Sequence, residues 1–313
     1  FPKVQFIITT HSPLFLLGME EQFGTEGFEI YEMPQGLKIN AERFSEFQKA
    51  YTYLTNTQQY EQAIYDAVSN KQDKMLIVTE GTTDWKHMKA AYNKLSHMPE
   101  YAELFTGFEF EFLEYEPNNS SQSTKVKLEM GNGQLVSLCE NMAKIMQKRK
   151  MVFIADRDHN DTNKKLGGKD GNQFKKWGNN VYSFILPIPD FRTATPGICI
   201  EHLYSDEVIK TEIETQNPNV KRRLYMGNEF DRRGYAPSLG VICEKKAVCG
   251  PEKINIIEGS TGERVTLLDD ENINIALSKM TFANLMLEGK TPFDEVDFKP
   301  FVPIFDILKK IYL

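Results

Sequence analysis

The feature that most constrains this chain is an alternation of apolar, strand-like runs with helix-like stretches between residues 74 and 186. The strand-like runs are residues 74–79, 108–115, 151–155 and 181–186, and the helix-like stretches are residues 84–95 and 135–146. This order predicts an α/β fold with a mostly parallel sheet and helices on both faces. In such sheets, reactive groups gather just beyond the carboxyl ends of the strands.

Acidic residues follow two of these runs. Glu80 comes directly after residues 74–79, and Asp84 stands one helical turn later, beyond a flexible Gly81. Asp156 and Asp158 follow residues 151–155, and their i, i+2 spacing in extended chain points both carboxylates the same way. Carboxylates gathered in this way repel one another unless a cation lies between them, and oxygen ligands suit Mg²⁺ or Mn²⁺.

Each acidic motif also has a plain structural explanation. Asp84 could simply stabilise a helix N-terminus, and Arg157 or Lys164 could neutralise the Asp156 and Asp158 pair at the surface. The occurrence of both motifs at strand ends of one parallel sheet indicates a metal site more strongly than either motif does alone.

The spacing Glu80-Gly81-x-x-Asp84, followed by Asp156-x-Asp158, resembles the Toprim domain of topoisomerases, bacterial primases and a group of nucleases. The resemblance covers roughly residues 73–204. It implies a Rossmann-like fold in which these acids hold one or two Mg²⁺ ions and contact phosphate.

The residues before the Toprim-like region narrow the family. Phe-Ile-Ile-Thr-Thr-His-Ser-Pro, residues 6–13, resembles the last conserved strand and switch-histidine loop of ABC-type ATPases, where His11 would sense the γ-phosphate of ATP. An ATPase end followed by a Toprim domain is similar to the overcoming-lysogenization-defect (OLD) family of nucleases. This order implies an ATPase end at residues 1–40, a helical connector at 41–72, and a Toprim nuclease domain with a C-terminal helical region at 73–313.

The OLD resemblance also implies two further site residues. Residues 199–203 resemble the segment with an additional acidic ligand, here Glu201, and residues 278–283 resemble the helix with the catalytic lysine, here Lys279. The plain alternatives are a solvated carboxylate and a surface lysine. The implied activity is a DNA endonuclease with two Mg²⁺ or Mn²⁺ ions, acting in defence against phage. The implied metal ligands are Glu80, Asp84, Asp156, Asp158 and Glu201, and Glu80 and Lys279 are the implied catalytic residues.

ATP would have to be bound by residues outside this chain. Gly289-Lys290-Thr291 resembles the end of a phosphate-binding loop, but Asn284 stands where that motif needs a glycine. The chain starts without methionine, and we therefore expect it to be the interior of a longer protein. The OLD resemblance further implies a homo-oligomer formed through the ATPase region and a possible defence-system partner.

DNA binding would depend on local basic patches, because 37 Lys and Arg against 44 Asp and Glu leave a net charge of −7. One candidate patch surrounds Trp177 in residues 158–180, a stretch expected to be irregular, and a second lies near residue 222. The candidate DNA-contacting residues are Lys164, Lys165, Lys175, Lys176, Arg222 and Arg223. Either patch could equally be an ordinary solvated face.

Two other functions remain open: an RNA-processing Toprim nuclease and a non-catalytic scaffold that binds nucleic acid or partners. No apolar stretch approaches the length of about 18 residues that a membrane-spanning helix requires, so we expect no membrane contact. The four cysteines match neither a zinc pattern nor a dense disulfide framework, which predicts a reduced, cytoplasmic setting.

Overall fold

The computed structural model describes residues 7–10, 29–39, 74–116, 126–127, 130–169, 171–214 and 220–313, together with a few single positions before residue 24. The chain divides into two compact units, Phe1–Asp66 and Ala67–Leu313. The proposed switch residue His11 and the predicted connector at 41–72 lie outside the described residues. In the first unit, strands β1 (Ile30–Glu32) and β2 (Leu37–Ile39) form an antiparallel hairpin.

The second unit contains fifteen strands and seven α-helices among its described residues. In chain order they are β3 (Met75–Thr79), α1 (Asp84–Leu95), α2 (Ala102–Phe105), β4 (Phe110–Phe112), β5 (Tyr115–Glu116), β6 (Val126–Lys127), α3 (Asn132–Met142), β7 (Met151–Ala155), α4 (Asn160–Leu166), β8 (Lys175–Gly178), β9 (Val181–Ile185), α5 (Asp206–Ile209), β10 (Ile213–Glu214), β11 (Lys221–Arg222), β12 (Tyr225–Met226), β13 (Tyr235–Ala236), β14 (Val241–Cys243), β15 (Ile256–Ile257), β16 (Val265–Leu267), β17 (Asp270–Asn274), α6 (Lys279–Glu288) and α7 (Val302–Tyr312). Short 3₁₀ helices include Asp190–Arg192 and Ile200–Leu203.

The main sheet has five strands in the order β4-β3-β7-β9-β8. The first four are parallel, and β8 is an antiparallel edge strand beside β9. This confirms the expectation of a mostly parallel sheet flanked by helices. The chain leaves β3 for β4 on one side and later returns to β7 on the other, so β3 and β7 are neighbours at a topological switch point. In α/β sheets the crevice for ligands opens at such a point.

The central strands are buried because their side chains are apolar on both faces, as a parallel sheet covered by helices requires. The C-terminal helix α7 packs its apolar face, including Ile304, Phe305 and Leu308, into the same core. Helices α6 and α7 agree with the helical region expected at the C-terminal end. None of the helices in the described ranges has the length and apolar character needed to cross a bilayer.

The segment from residue 213 to 277 was not expected from the sequence. It consists of very short strands, four of which form an antiparallel sheet in the order β13-β14-β16-β17, around a small core that includes Tyr225, Phe230 and Val265. We call it the β-rich segment. The stretch 158–180, expected to be irregular, likewise contains α4 and the edge strand β8. Strands of two to four residues are too short to show the alternation that predicts a strand.

Candidate active site

Two acids stand at the carboxyl ends of the neighbouring strands β3 and β7. Thr79 pairs with Ile154, so Glu80, one residue beyond Thr79, and Asp156, two residues beyond Ile154, lie at the same edge of the sheet. The backbone of Asp156 lies close enough to the Glu80 carboxylate to lower the pKa of that group, against the larger effect of burial. The Tyr115 hydroxyl lies 3.0 Å from the carbonyl oxygens of both Thr79 and Glu80. Buried contacts therefore fix the backbone from which Glu80 projects.

Asp84 is turned into the same place by the loop that joins β3 to α1. Its Oδ2 accepts a hydrogen bond of 2.6 Å from the Gly81 N–H, and its Oδ1 accepts one of 3.3 Å from the Thr83 hydroxyl. A Cβ at position 81 would stand 2.7 Å from Asp84 Oδ1, so glycine is needed for this close approach. Asp84 is the first residue of α1 and is only 6% exposed, so it both stands at a helix N-terminus and is buried beside the other acids.

Glu201 lies in the 3₁₀ helix Ile200–Leu203 and is 1% exposed, so the alternative of a solvated carboxylate is wrong. Its Oε2 lies 3.1 Å from the Lys279 ammonium. Arg192 holds this short helix by donating to the carbonyl oxygens of His202 and Tyr204, at 3.2 and 3.1 Å. The segment that presents Glu201 is thus anchored from within the protein.

Lys279 opens helix α6. The Ser278 hydroxyl caps the helix by accepting from the Thr281 N–H at 3.0 Å, and the Glu258 carboxylate accepts from the Lys279 N–H at 2.6 Å. The ammonium lies 3.1 Å from Glu201 and 3.6 Å from the Cys199 sulfur. Lys279 therefore brings a positive charge from the far end of the chain to the acids.

The acids perturb one another strongly. Burial, together with the charges of Asp84 and Asp158, raises the pKa of Glu80 to about 8. Burial and then Glu201 raise the pKa of Asp84 to about 6. Burial, Asp84 and Glu80 hold the pKa of Asp156 well above its usual range. The site thus concentrates more negative charge than Lys279 balances, and it favours the uptake of protons or cations.

Glu201 and Lys279 form an ionised pair within this cluster. Burial alone would raise the pKa of Glu201, but Lys279 and His87 outweigh it and lower the value to about 2. Burial alone would lower the pKa of Lys279, but Cys199, Glu201 and Asp156 raise it well above its ordinary value. Both groups therefore stay charged at neutral pH.

The donor set fits a hard divalent cation. Glu80 Oε2 and Glu201 Oε1 are buried oxygens without a hydrogen-bond partner, and carboxylate oxygen is the ligand that Mg²⁺ and Mn²⁺ prefer. Within the described ranges, however, no three such side chains stand together as a ready-made metal site. Asp84 and Glu201 each engage a neighbour through an oxygen, so their side chains would have to adjust around a cation. The fifth predicted ligand, Asp158, is exposed, and its charge acts on Glu80.

The first basic patch is not a single surface. Lys175 and Lys176 are successive residues of β8, so their side chains leave opposite faces of the sheet. Lys175 lies 3.3 Å from the centre of the Trp177 ring and donates to the Lys165 carbonyl at 2.8 Å. Lys164, Lys165 and Lys176 are exposed. A nucleic acid on one face of the sheet could therefore contact only part of this set.

One residue of the second basic patch, Arg223, does not lie on the surface. Arg223 is buried and bonds Glu229 through both guanidinium ends, at 2.6 and 3.1 Å. It also stacks 3.8 Å from the ring centre of Tyr225. Because this charge is paired inside the protein, Arg223 cannot serve as a phosphate contact on the surface, and its assignment is corrected. Arg222 is half-buried and remains a candidate.

His87 and Tyr204 are site residues that the sequence analysis missed. His87 is fully buried on α1, one turn after Asp84, and its Nδ1 lies 2.9 Å from the Tyr204 hydroxyl. Its other ring nitrogen has no partner. The three-residue spacing from Asp84 was the available clue, because residues at i and i+3 share a helix face.

No model of a known protein family matches this chain, and no curated protein or solved structure matches it significantly. The function must therefore be argued from the residues and the geometry of the site.

Proposed function

We propose that this chain is the nuclease part of an OLD-type ATPase-nuclease and cleaves DNA phosphodiester bonds with Mg²⁺ or Mn²⁺. The observation that carries the proposal is that Glu80, Asp84, Asp156 and Glu201 lie close enough to one another to shift their pKa values, at the switch point of the parallel sheet and beside Lys279. Perturbed acids gathered in this position are typical of catalytic sites.

The acidic residues and the lysine would have different roles. The five acids named from the sequence would bind the cations, with Glu80 and Asp156 at the centre. Two divalent cations supply phosphate neutralisation, a nucleophilic hydroxide and a stabilised leaving oxygen. Lys279, held by Glu201, offers a fixed positive charge to the phosphate as negative charge develops. Burial of Asp84 and Glu201 strengthens the interactions of these two carboxylates relative to water.

The same donor set would hydrolyse RNA, and matched RNA and DNA substrates separate the two activities. A non-catalytic scaffold is less well supported, because burying uncompensated carboxylates costs stability that a binding surface does not require. ATP control, assembly through an ATPase region, a defence partner, a cytoplasmic setting and a role against phage belong to the same proposal through the family resemblance.

The test is cleavage of supercoiled plasmid by the purified chain in EDTA, Mg²⁺, Mn²⁺ or Ca²⁺, with and without ATP. We expect nicking with Mg²⁺ or Mn²⁺ and none in EDTA. Asp156→Asn should lower the rate by at least about 100-fold, because it removes a charged ligand without changing side-chain size.

The matched control is Asp161→Asn on α4, where the aspartate side chain is 77% exposed and lies 3.9 Å from Lys164. This variant should cleave at the parent rate. Cleavage that persists in EDTA, or an Asp156→Asn variant as active as the parent, would overturn the proposal.

A further inference from the structure

His87 is a buried polar residue that neither the proposed metal ligands nor Lys279 account for. Its ring packs against Tyr204 and Phe282, with centroids 5.4 and 5.7 Å away. It projects from α1 on the face that carries Asp84. A fully buried imidazole needs partners for both ring nitrogens, because an unsatisfied buried polar atom is costly.

The hydrogen bond to Tyr204 determines where the imidazole proton lies. Among the described residues the Tyr204 hydroxyl has no hydrogen-bond partner other than Nδ1 of His87, 2.9 Å away, so its proton is directed to that nitrogen. The single ring hydrogen of His87 is therefore on Nε2, the nitrogen that lacks a partner.

Glu201, in the 3₁₀ helix Ile200–Leu203, carries an acceptor oxygen that has no hydrogen-bond partner. Glu201 directs Oε2 to Lys279, while its Oε1 is buried and unbonded. Tyr204 follows the 3₁₀ helix Ile200–Leu203 directly and donates its N–H to the Glu201 carbonyl at 3.1 Å, so the hydroxyl that bonds His87 and the Glu201 carboxylate belong to the same turn of chain. The Glu201 carboxylate and the His87 ring lie close enough for each to influence the pKa of the other. A buried donor, Nε2–H of His87, and a buried acceptor, Oε1 of Glu201, thus lie in the same small region, and neither has a hydrogen-bond partner.

We propose that His87 is a positioning residue for Glu201: its Nε2–H donates to Oε1 of that carboxylate after a small side-chain adjustment. Lys279 and His87 then hold the two oxygens of Glu201 from different sides. Residues that orient a ligand in this way raise metal affinity without touching the metal. The consequence for metal binding rests on the proposed function, whereas the contact itself does not.

The contact is tested in the metal-free protein by long-range ¹H–¹⁵N NMR of the imidazole groups. We expect His87 to be in the Nε2–H form, with a proton protected from exchange that shifts upfield in the isosteric Glu201→Gln variant. Asp161→Asn, on the exposed surface of α4, should leave that proton unchanged. An Nδ1–H form, or a His87 proton indifferent to Glu201→Gln, would overturn the inference.

The consequence is tested by calorimetry with Mn²⁺. His87→Leu should weaken Mn²⁺ binding about 10-fold, whereas His87→Gln, which keeps an N–H donor, should stay closer to the parent. If a folded His87→Leu variant binds Mn²⁺ as tightly as the parent does, the positioning role is excluded. If the parent itself binds no Mn²⁺, the proposed function fails, while the NMR result still decides whether the contact exists.

Discussion

Two regions of the second unit differ in how their buried charges are balanced. In the β-rich segment, Arg223 and Glu229 are both nearly buried and meet one to one through two hydrogen bonds. At the edge of the parallel sheet, Lys279 is the one lysine or arginine among the interactions that shift the pKa values of four acids, which are Glu80, Asp84, Asp156 and Glu201.

This difference distinguishes buried charges that are paired and stabilise the fold from buried charges that are unpaired and do not. A matched pair offsets much of its own desolvation cost, and removing one partner exposes that cost. An unmatched cluster instead destabilises the folded protein until protons or cations enter. The structure therefore predicts opposite effects on stability when a charge is removed from each region.

The largest effect should come from Arg223→Met, which leaves Glu229 buried without its partner. We expect the free energy of unfolding to fall by about 3 kcal/mol or more, measured by urea denaturation. Arg232→Met should change it by less than about 0.5 kcal/mol, because Arg232 is exposed and meets Glu252 only at 3.5 Å. Combining Arg223→Met with Glu229→Met should recover much of the loss, and an additive further loss would contradict the explanation.

A somewhat smaller effect should appear as a dependence of stability on pH. Unfolded Asp and Glu titrate near pH 4, whereas the pKa values of Asp84 and Glu80 in the folded protein are about 6 and about 8. The folded protein thus binds more protons than the unfolded chain in this window, so its free energy of unfolding falls as pH rises from about 5 to about 8. The pKa of Glu201 in the folded protein is about 2, which is below the value near 4 in the unfolded chain. Its contribution to the free energy of unfolding therefore changes only below about pH 4.

In full, these two shifts would correspond to a loss of about 5 kcal/mol between pH 5 and 8. Because this edge of the sheet is partly open to solvent, which screens the charges, we expect a loss on the order of 2 kcal/mol in EDTA, measured by denaturation at several pH values. Adding Mn²⁺ should remove most of the slope, because bound cations neutralise the carboxylates. A stability in EDTA that rises across the same pH range would contradict the comparison.

The smallest of the three effects should come from Asp156→Asn. Because the variant relieves repulsion from Asp84 and Glu80, it should raise the free energy of unfolding by about 1 kcal/mol in EDTA at pH 8. Thermal or urea denaturation measures the change, with Asp161→Asn as the control. A destabilised Asp156→Asn variant would show that this carboxylate is matched after all.

The sequence predicted the central architecture well because long apolar runs leave a clear pattern. The predicted helix 84–95 and strand 151–155 coincide with α1 and β7. By contrast, β8 begins with two lysines at a sheet edge, where solvent accepts polar side chains on both faces. The short strands of the β-rich segment depend on tertiary pairing, which no local pattern records.

The candidate site could be predicted only as far as its strand ends. Strand order brings Glu80 and Asp156 together, whereas Glu201 and Lys279 were identified through the family resemblance alone. Arg223 was misassigned because a Lys-Arg-Arg run in sequence is typical of a solvated surface, while here its last member turns inward to Glu229. His87 was missed because its hydrogen-bond partner, Tyr204, is distant in sequence.

The site draws on β3, β7, the 3₁₀ helix at Ile200–Leu203 and the start of α6, so its members are synthesised at widely separated times. Glu80 and Asp156 emerge from the ribosome long before Lys279, and the pairing of β3 with β7 can bring these two acids together before α6 is complete. A growing chain therefore holds these carboxylates without their lysine. Whatever chemistry this site performs is withheld until folding is complete.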